Sequence, residues 1–282
     1  MRYTLILVMV LLISCSQAQQ IVLQEHWATE RVMKTPESIL YDTERDVLYV
    51  SNINGSPMGK DQNGFISKLS TGGEILELEW VTGLNAPKGA GIAGGTLYVT
   101  DIDELVAIDI DAGTIIRRYP APGAVFLNDV AVDGSGNVYI SDSSKENSVI
   151  YRFDGNHVAA WLHGDEISMP NGLSIDGDHL LVGNSGDGSI KRVDLDTKAI
   201  ARVATVGSGI DGLRRYGEHG FVVSDWKGRI TLVRKSGDND VLIDTTDAKI
   251  NAADLEIVSA RRLLVVPTFY DDRVVAYTIG TP

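Results

Sequence analysis

The chain has 282 residues, with 38 acidic against 25 basic side chains and a formal charge of −13, which argues against a nucleic-acid backbone as its main partner. Its 44% hydrophobic and 22% charged content is that of a folded globular protein, and 29 glycines without a collagen period point to many tight turns. The length suits one or two ordinary domains, or a single closed β architecture.

The first segment reads as an export signal. Arg2 precedes an apolar run from Leu5 to Ile13, too short to cross a bilayer core of about 30 Å as a helix and laid out like a secretory signal. It runs into Leu12-Ile13-Ser14-Cys15, which resembles the lipobox of bacterial lipoproteins, where the cysteine is acylated and becomes the new N-terminus. Cys15 is the only cysteine, so the expected product folds without a disulfide and touches a membrane through its lipid alone. The alternative is cleavage after Ser16-Gln17-Ala18, giving a secreted or periplasmic form. The expected organisation is a signal over 1–14, a tether over 15–20 and one domain over 21–282.

From there one phrase recurs, as Leu48 to Asn52, Leu97 to Asp101, Val138 to Asp142, Leu180 to Asn184, Phe221 to Asp225 and, degenerate, Leu264 to Thr268. Successive copies end 41 to 49 residues apart, a period that signals a repeat architecture. Each copy reads as a strand. A strand precedes each of them: Glu37 to Tyr41, Lys88 to Ile92, Asn128 to Val132, Asn171 to Ile175, Asp211 to Arg215 and Ala253 to Ile257. A third strand follows each phrase, and five units carry a fourth: Glu74 to Trp80, Thr114 to Tyr119, His157 to Leu162, Ala199 to Ala204 and Asp240 to Ile243. Four short strands per unit, six times over, predict an all-β, six-bladed β-propeller of four-stranded antiparallel sheets. Ile21 to Trp27, left over at the N-terminus, supplies the strand missing from the sixth blade and closes the ring. An open solenoid fits less well, because neither end carries a capping repeat.

In a propeller the preceding strands line the axis. Their first residues fall at one register: Glu37, Lys88, Asn128, Asn171, Asp211 and Ala253. Taken singly, Asn171-Gly172 and Asp211-Gly212 are turn dipeptides. Taken together, Glu37, Asn128, Asn171 and Asp211 form an oxygen cage of formal charge −2. Such a set suits a hard divalent cation, calcium before magnesium, manganese or zinc.

The stretches Pro36 to Asp42, Leu127 to Asp142, Pro170 to Asp176 and Ile210 to Leu213 resemble the gluconolactonase/regucalcin (senescence marker protein) family of six-bladed propellers. Diisopropyl fluorophosphatase and the paraoxonases are more distant relatives. The resemblance implies that Glu37, Asn128, Asn171 and Asp211 hold one divalent ion near the axis and that Asp211 is the general base. It implies hydrolysis of a lactone or related ester, or of a phosphoester in the fluorophosphatase branch, with a small-molecule substrate and a monomeric protein. Lys88 belongs to none of the family's ligand sets; it pairs with Glu37, reaches toward the rim, or binds an anionic substrate. His26, His157, His163, His179 and His219 all fall outside the inner register, so a paraoxonase-like histidine dyad has no counterpart. The loop from Asn54 to Asn63 is expected as a lid that turns Met58 and Lys60 toward the pocket, with Phe269, Tyr270 and Asp271 as a further wall. Asn52, Asp101, Asp142, Asn184 and Asp225 are assigned to turn capping. The competing function is a non-catalytic propeller that binds a peptide, glycan or protein around a structural ion.

Overall fold

Short runs of β-branched and aromatic residues, divided by Gly, Asp and Asn, leave the chain little but strands and turns to form. The computed structural model describes residues 20–207 and 209–280; the expected signal and Cys15 lie outside the described residues. Among the described residues are six four-stranded antiparallel sheets. Blades 1 to 5 span Pro36–Leu84, Pro87–Pro120, Leu127–His163, Pro170–Thr205 and Ile210–Asp244. Blade 6 combines Glu256–Val258, Leu263–Pro267 and Val274–Gly280 with the N-terminal strand Val22–Ala28. That strand pairs antiparallel with the last one, Val22 opposite Gly280, so the two ends of the chain lock the ring as expected.

Two boundaries differ from the expectation by more than one residue. The fourth strand of blade 1 runs on to Leu84, because Leu84 regains pairing with Gly64 after bulges have interrupted the ladder. The inner strand of blade 6 begins only at Glu256. Ahead of it the Ala253 N–H donates to Pro267 O of its own blade (3.1 Å) and the Asp254 N–H to Glu37 O (3.0 Å), so Asp254 bridges to blade 1 instead of continuing the ladder.

The core lies between blades. Tyr49 and Ile66 of blade 1 pack with Leu97, Val99 and Ile108 of blade 2, all nearly inaccessible to solvent, and each such side chain contributes roughly 1.5–3 kcal/mol by burial. Hydroxyls stitch the seams nearer the axis. Thr100 Oγ1 donates to Asn128 O (2.5 Å), Ser143 Oγ to Pro170 O (2.6 Å), Ser185 Oγ to Ile210 O and Ser224 Oγ to Ala253 O (2.8 Å), each joining one blade to the start of the next inner strand.

Those starts are irregular in the same way. The pairing of inner and second strands skips from Pro36 to Ser38, Pro87 to Ala90, Leu127 to Val130, Pro170 to Leu173 and Ile210 to Leu213. A bulge re-aims a side chain that a regular ladder would hold on a sheet face. The skipped positions include Glu37, Lys88, Asn128, Asn171 and Asp211. Glycine follows where inner strands crowd together: a Cβ on Gly172 would stand 2.4 Å from Asp211 O, and one on Gly89 2.4 Å from Asp129 Cα. Asn171-Gly172 is therefore strand backbone under close approach, not a turn.

Candidate functional site

Glu37, Lys88, Asn128, Asn171 and Asp211, one from each of blades 1 to 5, are at most 8% exposed and line a single cavity of about 250 Å³. Asn171 Nδ2 donates to Asp211 Oδ1 at 2.8 Å, which fixes both side chains. Glu37 Oε2, Asn171 Oδ1 and Asp211 Oδ2 are buried without any hydrogen-bond partner. Leaving one such oxygen unmet costs about 1–3 kcal/mol, and more when it is charged. Three in one cavity form a set of hard acceptors, which fits an oxygen-loving divalent cation. Among the described residues no three His, Cys, Asp or Glu side chains group as metal ligands, so an ion here would depend on the amide oxygens as well, a calcium-like rather than a zinc-like demand.

The electrostatics agree with the geometry. Burial pushes the Asp211 carboxyl up to about 7 against the opposing bond from Asn171, and Asp129 and Asp225 add to the rise. Burial, and next the Asp211 charge, holds Glu37 well above the usual carboxylate range, with Lys88 pulling the other way. Burial also brings the Lys88 ammonium down to about 8, opposed by Glu37. Lys88 Nζ donates to Pro57 O and Ala86 O, both at 3.0 Å, and lies 4.6 Å from the centre of the Phe126 ring. Its hydrogen bonds thus tie the 54–63 loop to the cavity, and its attraction to Glu37 acts at longer range.

A second buried charge cluster lies slightly further along the same strands. Arg214 reaches Asp254 Oδ2 at 3.1 Å, Asp129 Oδ2 at 3.5 Å and Glu256 Oε2 at 3.6 Å, and donates to Leu213 O (3.0 Å) and Leu173 O (3.2 Å). Asp129 also accepts from the Leu173 N–H (2.6 Å), and Asp254 from Ser38 Oγ (2.8 Å). Burial works against the charged guanidinium, but Asp254, Asp129 and Glu256 together raise its pKa. Asp129 adjoins Asn128, Ser38 adjoins Glu37, and Leu173 and Leu213 stand two residues past Asn171 and Asp211. Arg214 therefore underpins the backbone of all four expected ligands.

The other expected residues divide. Phe269 is buried in the cavity wall and Tyr270 lines the mouth. Met58 is exposed and does not line the cavity, although its neighbour Pro57 does. Lys60 also stays outside: its ammonium bonds Asp103 Oδ2 at 2.7 Å on the open surface, a nearer and more solvated partner than the pocket. Asp271 turns to Arg31 and Arg273 instead of walling the site. The phrase-ending residues are caps. Asp101 accepts from the Asn85 and Ala86 N–H groups, Asp142 from Val125 and Phe126, Asn184 from Ser168, Asn52 from Lys34 and Asp225 from Lys227. Asp129, Arg214, Asp254, Phe126 and Trp226 were not anticipated. The first and third stand one position after the aligned register, a visible signal; nothing in the chain marks Trp226.

A ring of six blades with an oxygen-lined cavity at the starts of its inner strands defines the class as a six-bladed propeller. The model of the SMP-30/Gluconolactonase/LRE-like region matches residues 35–253, and the chain belongs to that family. No curated protein sequence matches it. In fold it is similar to a catalytically inactive variant of virginiamycin B lyase from Staphylococcus aureus with quinupristin, at a TM-score of 0.63 and 13% identity over 92% of this chain and 99% of that one. A chain of a nidogen/laminin complex is similar at a TM-score of 0.64 and 20% identity, over 78% of this chain and 84% of that one. At such identities the likeness extends to the fold alone.

Proposed function

We propose that the protein is a metal-dependent hydrolase of lactones or related esters, with calcium as the ion its cage suits best and Asp211 as general base. Magnesium, manganese and zinc are the alternatives. The observation that carries this reading is the convergence of three unpartnered buried oxygens, from Glu37, Asn171 and Asp211, in one cavity on the propeller axis. Glu37, Asn128, Asn171 and Asp211 would hold the ion. When bound, a divalent cation supplies a Lewis acid for the ester carbonyl and charge to match a developing oxyanion.

The chain's own residues do the rest. The amide of Asn171 orients Asp211 through the 2.8 Å bond to Oδ1 and leaves Oδ2 without a partner in the fold. Asp211 takes a proton as the water oxygen adds to the carbonyl carbon. It returns that proton to the ring oxygen as the carbon–oxygen bond breaks, and a hydroxy acid results. Lys88 holds Pro57 over the cavity and balances part of the cage's charge.

The fold by itself hosts unrelated functions, since the similar structures include a virginiamycin B lyase variant and a nidogen/laminin complex. The test is to strip the purified protein with chelator and follow hydrolysis of lactones and phosphotriesters with and without added calcium. Restored turnover supports the reading; no metal-dependent hydrolysis overturns it in favour of a binding propeller. Export with an acyl anchor at Cys15 belongs to the same proposal, and Cys15→Ser should release the protein from membranes.

A further inference from the structure

We infer that the site takes a small, uncharged lactone or ester bearing an aliphatic or aromatic group, in preference to a polyhydroxylated or anionic one. This rests on the hydrolase reading above and adds the substrate class. Outside the cage the cavity is walled by Ile53, Pro57, Phe126, Trp226 and Phe269, with Tyr270 at its mouth. Trp226, Phe269 and Tyr270 pack edge to face, with ring centres 4.8 to 5.9 Å apart. Trp226 is 37% and Tyr270 67% exposed, and among the described residues these are the exposed aromatic side chains; both line this one cavity. Exposed apolar surface gathered at a concave site marks a ligand surface, whereas scattered single residues do not.

The polar complement points the same way. Ser185 is the one hydroxyl-bearing aliphatic side chain in the wall, and its hydroxyl is already donated to Ile210 O. Lys88, the one basic side chain there, is engaged by two carbonyls and the face of Phe126. Apart from the polar tips of Trp226 and Tyr270 and the amide of Asn128, the side chains around the cavity offer a substrate no free donor. A sugar-acid lactone would bury more hydroxyls than these groups can meet, and a carboxylate would meet no free basic side chain. The cavity is also compact: about 250 Å³ lies below the range of drug-sized pockets.

The experiment uses calcium-loaded protein and δ-lactones of one ring size bearing a butyl, phenyl, polyhydroxyl or carboxylate substituent, with binding of the matching non-hydrolysed lactams followed by calorimetry. The butyl and phenyl lactones should exceed the others in kcat/KM by about tenfold or more, and the lactams should bind in the same order. Trp226→Ala and Tyr270→Ala should reduce that preference through KM while calcium affinity stays unchanged. Preference for the polyhydroxyl or carboxylate compounds, or variants that leave the order unmoved, would overturn the inference. Selective binding of apolar lactams without turnover of any lactone would overturn the hydrolase reading and sustain the ligand class.

Discussion

Two buried charge clusters share the axis of this propeller, and they solve the same problem in opposite ways. Around Arg214, the carboxylates of Asp129, Asp254 and Glu256 receive a cation from the chain itself, and a single oxygen, Asp254 Oδ1, is left unpartnered. A few residues away the carboxylates of Glu37 and Asp211 and the amides of Asn128 and Asn171 have a cation nearby in Lys88, but its ammonium bonds backbone carbonyls. There Glu37, Asn171 and Asp211 each keep an unpartnered oxygen beside a cavity. A buried charge is tolerated when it is paired or when it neutralises by a shift in pKa. The first cluster is paired within the fold; the second keeps acceptors that nothing in the fold meets.

The largest effect should separate the clusters directly. Arg214→Met removes the partner of two buried carboxylates and of the part-buried Glu256 and should destabilise the fold by about 3–5 kcal/mol, measured by urea unfolding, whereas Asp211→Asn should leave stability in chelator unchanged or raised. Equal losses from both substitutions would erase the distinction. In activity the order reverses: Asp211→Asn should lower metal-dependent kcat by about 10²–10⁴-fold, and wild-type turnover in that variant would remove Asp211 from the mechanism. Glu37→Gln should weaken calcium binding about tenfold in a calorimetric titration without unfolding the protein, since its orphaned oxygen contributes to the ion and to no bond of the fold. A cap such as Asn184 belongs to neither cluster, and Asn184→Ala should cost about 1–3 kcal/mol for the stranded Ser168 N–H with calcium affinity unaltered.

A last effect is a pH dependence whose sign differs from that of ordinary paired carboxylates. Burial raises Asp211 from 3.8 to about 7, so between those values the metal-free fold retains a proton that the unfolded chain has released. Its stability should then fall as pH rises from about 4 to about 7, with Glu37 acting in the same direction. Thermal midpoints in chelator at pH 5 and pH 7.5 measure this. Asp211→Asn should flatten the slope, and excess calcium should offset it at the higher pH; a midpoint that climbs across this window contradicts the unpaired state of the cage.

The architecture was readable because blade after blade repeats a phrase such as Leu97 to Asp101, whose alternation, hydroxyl and terminal carboxylate all have separate work: core packing, a hook to the next blade and a cap for the preceding loop. The cage was readable because Glu37, Asn128, Asn171 and Asp211 are poor strand formers placed where strands begin, and the bulges there turn them inward. Arg214 was not, since Arg214-Arg215 in a strand looks like two solvated cations, and only the convergence of blades 3, 5 and 6 reveals that one of them is buried. Trp226 and Phe126 come from loops of different blades, and their meeting at the cavity depends on ring geometry that no local pattern encodes. The expected inward turn of Lys60 failed for a local reason, an exposed carboxylate at Asp103 within easy reach.

The central claim, that four side chains from four blades share one divalent cation, is tested most directly by a crystal grown with calcium and examined by anomalous scattering. One ion at the axis, with oxygens of Glu37, Asn128, Asn171 and Asp211 at about 2.3–2.6 Å, is the predicted result. Saturating calcium that leaves this cavity without an ion, or that binds while those four side chains stay uninvolved, would contradict it.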